Sequence, residues 1–132
     1  MSQKNKIIEF QILSQEVKNL QEQFQNISSS IRDLQVTKNT LEELKNLKKN
    51  KGILIPLGHG IFTKGEIKNP NDLITSVGSN ILVEKDLGET KEMIKENILN
   101  LSKYSEKIEE ELGRNVEKMQ ELQKEISEQE KQ

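Results

Sequence analysis

Large apolar residues recur at alternating spacings of three and four positions through the first fifty residues of the chain. Ten positions follow this spacing, all apolar except Lys38: Phe10, Leu13, Val17, Leu20, Phe24, Ile27, Ile31, Leu34, Lys38 and Leu41. Such a stripe, kept over about four heptads, is typical of a coiled-coil helix. We therefore predict a helical segment over residues 1–51, with a cluster of lysines in its last turn and Gly52 ending it.

The same spacing returns in residues 87–132 and predicts a second long helix. Eight of its ten stripe positions are apolar, the exceptions being Ser105 and Asn115: Ile94, Ile98, Leu101, Ser105, Ile108, Leu112, Asn115, Met119, Leu122 and Ile126. A polar residue in such a stripe can fix the register of two helices at a cost in stability. Asn115 is either such a register-setting residue or a plain weak point.

Between the helices, residues 52–86 change to a period near two, which favours strands. Four short strands are predicted over 53–57, 61–67, 73–77 and 81–84, with Gly, Pro and Asn at the joints. The outer joints predict tight turns and the middle one a linker, and Pro56 suits only a strand edge. The predicted fold is α+β and mostly α, a long antiparallel two-helix coiled coil with a two-hairpin β insert.

The lengths and charges of the two helices favour pairing with each other. A helix of forty-five residues is about 65 Å long, whereas a compact chain of this size is about 35 Å across. We therefore expect a rod. Residues 1–51 carry a net charge of +3 and residues 87–132 a net charge of −4, and opposite signs support pairing weakly.

The hairpin segment is predicted to be an assembly domain. Two short hairpins cannot bury both of their faces alone, and strand edges template pairing with other chains. The predicted oligomerisation residues alternate along the strands: Ile53, Ile55, Leu57, Ile61, Leu73, Val77, Ile81 and Val83. We expect several such inserts to join into one oligomeric β-barrel body.

The free ends of the helices carry a second candidate surface. Up to Leu41, four apolar residues fall outside the stripe, and three of them lie in the first twelve positions: Ile7, Ile8, Ile12 and, farther along, Val36. Exposed apolar patches mark interaction sites. The predicted apolar tip surface consists of Ile7, Ile8, Phe10, Ile12, Leu13, Met119, Leu122 and Ile126. The alternative is that Ile7 and Ile8 only complete the last turn of the stripe.

Composition argues against several other functions. The 132 residues include no Cys, one His (His59) and only two Arg, with a net charge of −2. These counts argue against a thiolate or His-cluster metal site, a catalytic triad and a basic surface for nucleic acid. Gly58, Gly60 and Gly65 do not complete a phosphate loop, because position 63 is Thr. We expect a cytoplasmic, non-enzymatic protein without cofactor, metal or membrane span.

Short motifs in the insert resemble the prefoldin alpha-type subunit. The similar segments are Ile55-Pro56-Leu57-Gly58, Val77-Gly78 and Val83-Glu84-Lys85, and the two predicted hairpins match the alpha rather than the beta type. The family usually has Ala-rich stripes, whereas this chain has no Ala.

The resemblance implies an ATP-independent chaperone of two alpha-type and four beta-type subunits. Its coiled-coil tips would hold non-native polypeptides and pass them to a group II chaperonin. The alternative is a filament-forming prefoldin-like scaffold or a coiled-coil tether.

Overall fold

A computed structural model describes residues 2–47 and 51–130. Their elements follow the predicted order and confirm the fold class, α+β and mostly helical, with two antiparallel hairpins between two long helices. The elements are α1 (Gln3–Lys45), β1 (Lys51–Gly58), β2 (Ile61–Ile67), β3 (Leu73–Ser76), β4 (Leu82–Lys85) and α2 (Leu87–Glu130).

The chain divides into two compact units, and each contains a stretch of both helices. The first, here called the distal unit, comprises residues 1–32 and 99–132. Every predicted stripe position in it is buried or half-buried. Lys6 near the start of α1 pairs with Glu125 near the end of α2, with 3.5 Å between Nζ and Oε2. The two helices therefore run antiparallel within this unit.

The second unit, here called the proximal unit, comprises residues 33–98 and includes both hairpins. Its core is a buried cluster of Leu41, Leu87 and Ile94. Residues from both helices and one strand pack around this cluster: Leu34, Leu44, Leu73, Met93 and Ile98. Leu73 begins β3, so the second hairpin is attached to the helices by direct apolar packing.

The predicted end of the first helix is wrong. Helix α1 ends at Lys45, and Gly52 lies inside β1, where it pairs with Glu66. The last turn tightens, since the amide nitrogens of Asn46 and Leu47 donate to carbonyl oxygens three residues earlier. Strand pairing of residues 51 and 52 satisfies backbone groups that a longer helix would have used. Of the predicted lysine cluster, Lys45 is in the last turn, while Lys48 and Lys49 lie outside the described residues.

The hairpins confirm the predicted tight turns. Both central residues of each turn have positive φ: His59 (50°) and Gly60 (75°) in the first, Ser79 (50°) and Asn80 (62°) in the second. This is the backbone of a type I′ turn, whose twist matches that of the flanking strands. Within the part of the chain that the structure describes, each sheet has only two strands, so every strand keeps an open edge.

The linker between the hairpins also fixes the start of α2. The Asn71 side-chain oxygen accepts a hydrogen bond from the Leu87 amide at 3.0 Å, and the Asp86 carboxylate accepts one from the Glu89 amide at 2.7 Å. These contacts satisfy two of the free amides at the helix N-terminus. The linker therefore holds the second hairpin against the helix that follows it.

Candidate functional site

The predicted oligomerisation residues lie largely on one face of each hairpin. Cross-strand pairing places Ile53 opposite Gly65 and Ile55 opposite Thr63 on one face of the first hairpin. On the second hairpin, Leu73 and Val83 share a face by the same alternation. Ile53 and Leu73 are half-buried, and the others are exposed: Ile55, Leu57, Ile61, Val77, Ile81 and Val83.

Gly65 determines how this face of the first hairpin packs. A Cβ atom placed on Gly65 would lie 2.5 Å from Cδ1 and 3.4 Å from Cγ1 of Ile55. The Ile55 side chain therefore lies directly over the bare backbone of β2. This glycine, which the sequence presents as a fragment of a phosphate loop, provides room for an apolar side chain.

The opposite faces of the hairpins are also apolar, which the sequence reasoning missed. Four large side chains there are more than half exposed: Leu54, Phe62, Ile74 and Leu82. The signal was present, because these residues occupy the alternate positions of the same four strands. Their neighbours across the strands include Lys64 and Glu84, which give these faces a mixed character.

The predicted tip residues divide into three groups by exposure. Ile7, Ile8 and Ile12 are 39%, 45% and 55% exposed, more than any predicted stripe position of the two helices. Leu13 and Leu122, at 8% and 7%, lie in the buried core between the helices. The remaining three are half-buried: Phe10, Met119 and Ile126.

An open groove of about 310 Å³ brings part of this set together. It is lined by Ile7, Phe10 and Gln11 of α1 and by Gln123 and Ile126 of α2. The groove contains two amide side chains that the sequence reasoning did not include. Ile8, Ile12 and Met119 do not line it, so the tip surface consists of this groove and separate exposed isoleucines.

The chemistry of the described residues offers little besides these apolar surfaces. Among residues 2–47 and 51–130, no group of three or more His, Cys, Asp or Glu side chains could hold a metal ion. His59 occupies the first hairpin turn. None of the helices in this part of the chain is long and apolar enough to cross a membrane.

Comparisons with known proteins agree with these features. The family model described as "Prefoldin subunit" matches residues 13–132. A prefoldin subunit alpha from Methanococcus vannielii is 36% identical over 79% of this chain and 69% of its own length. Its counterpart from Pyrococcus horikoshii is 32% identical over 97% of this chain and 86% of its own length.

A solved structure shows the same fold. It is a cryo-EM structure of filamentous prefoldin from Methanocaldococcus jannaschii, with a TM-score of 0.78, 22% identity and coverage of 89% of this chain and 97% of that one. With the family model covering nearly the whole sequence and curated alpha subunits aligning over most of it, the chain belongs to the prefoldin family of molecular chaperones.

Proposed function

We propose that this chain is the alpha-type subunit of a cytoplasmic, ATP-independent chaperone that holds non-native polypeptides. In this proposal, two copies join four beta-type subunits, and the assembled tips pass their client to a group II chaperonin. Family membership supports the chaperone role. The placement of exposed apolar residues supports assembly through the hairpins and client binding at the tips.

The hairpins are the proposed assembly surface. Ten large apolar side chains of the insert are exposed, and both sheets have open edges in the described structure. Two-stranded sheets are marginal in water by themselves. Joining hairpins from several subunits into a β-barrel body would pair the edges and bury the apolar faces.

The tip is the proposed client-binding surface, and one observation supports it most directly. Three exposed isoleucines lie within the first twelve residues, and one of them, Ile7, lines an open groove with Phe10 and Ile126. An aliphatic surface without fixed polar partners suits unfolded chains of varied sequence. Several weak tips acting together raise the overall affinity through their high effective concentration.

A matched pair of variants tests the client-binding surface. Ile7→Ser, Ile8→Ser and Ile12→Ser together remove exposed aliphatic side chains from the tip. Val36→Ser with Leu99→Ser removes exposed aliphatic side chains elsewhere on the helices. We expect the tip variant to lose most of its suppression of client aggregation, and the control to keep it. Equal activity of the two variants at unchanged helicity would reject the tip proposal.

The alternatives are a filament-forming scaffold and a coiled-coil tether. The solved neighbour that shares this fold is described as filamentous, so assembly needs its own measurement. Light scattering with and without a beta-type partner separates these states. A closed hexamer stops growing at a fixed mass, a filament continues to grow with concentration, and a tether does not require a beta-type subunit.

A further inference from the structure

The two hairpins of the insert follow one backbone pattern, repeated so that Pro56 in the first corresponds to Ser76 in the second. Both have a turn with two residues of positive φ, and a glycine with positive φ precedes each turn. Pro56 lies opposite Phe62 in the first hairpin. Ser76 lies opposite Leu82 in the second. The second hairpin therefore shows the same pairing with a residue other than proline at this place.

Hydrogen bonds next to the turn show which backbone groups of the strands point outward. In the second hairpin, the Val77 amide donates to the Ile81 carbonyl oxygen at 3.0 Å. The Ile81 amide donates to the Gly78 carbonyl oxygen at 2.9 Å. Residues that bond to the partner strand alternate with residues that do not along an antiparallel strand. Ser76, the next residue, therefore points its N–H and C=O groups toward the open edge of β3.

The corresponding residue of the first hairpin has no N–H group. Because Pro56 takes the place of Ser76 in the same register, its missing donor falls on the open edge of β1. The outward residues of the other three strands include no proline: Phe62, Lys64 and Glu66 on β2, Ile74 and Ser76 on β3, and Leu82 and Glu84 on β4. Among the strands that the structure describes, only β1 thus has an edge with a missing donor.

We propose that Pro56 closes the edge of β1, so that a strand from the hairpin of another subunit adds to the first hairpin along β2 and not along β1. A strand laid against β1 would bury a carbonyl oxygen opposite Pro56 without a hydrogen bond. It would also meet the irregular pairing between Pro56 and Gly58, and such bulges turn an edge away from further pairing. A strand laid against β2 meets an N–H group at every outward residue.

This inference rests on the proposed assembly through the hairpins and adds its direction. If both edges of every hairpin accepted strands, subunits could continue to add without a fixed end. A hairpin with one closed edge ends a row of paired strands. The proposed β body would then have a seam at β1, and Pro56 would limit its growth.

Replacing Pro56 tests the proposal in the full chain mixed with a beta-type partner. Pro56→Ser gives β1 the residue that β3 has at the same place, and Pro56→Ala supplies the N–H group without a hydroxyl group. The control is Pro70→Ser, which removes the other proline of the chain, outside the strands. Light scattering measures the mass of the assembly over a range of concentrations, and circular dichroism checks the helicity of each variant.

We expect the parent and the control to reach the same constant mass. Both Pro56 variants should exceed that mass by about twofold or more at the highest concentration, because a complete edge allows further strands to add. Equal dependence of mass on concentration for the parent and both Pro56 variants would overturn the proposal.

Hydrogen exchange of the parent assembly tests the same edge without a substitution. Mass spectrometry with fragmentation compares the outward amides of Gly52 and Leu54 on β1 with those of Phe62 and Lys64 on β2, before and after the beta-type partner is added. Exchange at the β2 amides should slow by about tenfold or more on assembly, and exchange at the β1 amides by less than about twofold. Equal slowing on both strands would show that β1 accepts a strand despite Pro56.

The outcome is separable from that of the proposed function. If the tip isoleucine variant loses aggregation suppression while the Pro56 variants assemble as the parent does, the chaperone role stands and the closed edge is rejected. If the Pro56 variants grow while the isoleucine variant keeps full suppression, the closed edge stands and the tip proposal is rejected.

Discussion

Lys91 of α2 forms an ion pair with Glu42 of α1 beside the buried cluster of Leu41, Leu87 and Ile94. The hydrogen bond from Lys91 is the main cause that lowers the pKa of Glu42 below its usual value of 4.5, and the charges of Lys91, Lys45 and Lys38 lower it further. This pair joins the two helices within the proximal unit, next to the hairpins. Because folding lowers its pKa, the protonation of Glu42 is coupled to folding.

The Glu42 pair predicts a specific dependence of stability on pH. Because folding lowers the pKa, the contribution to stability is full above the unfolded value of 4.5 and is lost as pH falls through the folded value. Replacing Glu42 by Gln should therefore reduce the difference in urea midpoint between pH 7 and pH 3. Glu43→Gln, an exposed neighbour, is the control. An unchanged pH profile for Glu42→Gln would contradict the coupling.

Substitution of Asn115 tests whether this stripe residue sets the register of the helices or is only a weak point in their packing. Asn115 is buried in the distal unit, where an amide side chain is less favourable than an aliphatic one. We expect Asn115→Leu to raise the free energy of unfolding by about 1–2 kcal/mol. Asn97→Leu, at an exposed position of the same helix, should change it by less than about 0.5 kcal/mol.

A distance measurement then decides whether Asn115 also sets the register. Spin labels at residues 18 and 118, both exposed in the distal unit, give one narrow distance distribution if the helices keep a single register. A broader distribution in Asn115→Leu than in the parent would identify a register-setting residue. An unchanged distribution with higher stability would identify a weak point. A loss of stability would contradict both interpretations.

The stripe positions were predictable because helical spacing directly determines which side chains face a partner helix. All twenty predicted stripe positions are buried or half-buried. The four apolar residues that lie outside the stripe in the first helix, up to Leu41, are exposed: Ile7, Ile8, Ile12 and Val36. The same pattern separates the predicted tip residues by exposure. Leu13 and Leu122 belong to the stripe, and the partner helix covers them, whereas Ile7, Ile8 and Ile12 lie outside it and are exposed.

The end of α1 and the start of α2 depend on contacts distant in sequence. Lys51 pairs with Ile67, and Asn71 binds the amide of Leu87, sixteen residues away. Local patterns of lysine and glycine carry no information about such pairing. For this reason Gly52 resembled a helix end although it belongs to a strand.

The Asn71 contact predicts a measurable contribution to the stability of α2. Asn71→Ala removes the acceptor for the Leu87 amide and should lower the free energy of unfolding by about 1 kcal/mol. Asn71→Asp keeps an acceptor in the same place and should restore most of the loss. Urea denaturation followed by circular dichroism measures both. Equal losses for Ala and Asp would show that the contact does not act as a helix cap.

The two faces of the first hairpin predict different effects on assembly. Ile55 and Leu54 are adjacent, both exposed, and lie on opposite faces of β1. Ile55 belongs to the face that packs over Gly65, whereas Leu54 lies opposite Lys64. If the first face closes the β body, Ile55→Asp buries an unpaired charge there and should disperse the oligomer.

Leu54→Asp places the same charge beside Lys64, where it remains hydrated, and should leave the mass of the assembly unchanged. Light scattering at equal subunit concentration compares the two variants, and circular dichroism checks their helicity. Dispersal by Leu54→Asp alone would place the assembly surface on the opposite face. Unchanged mass in both variants would show that the first hairpin does not hold the subunits together.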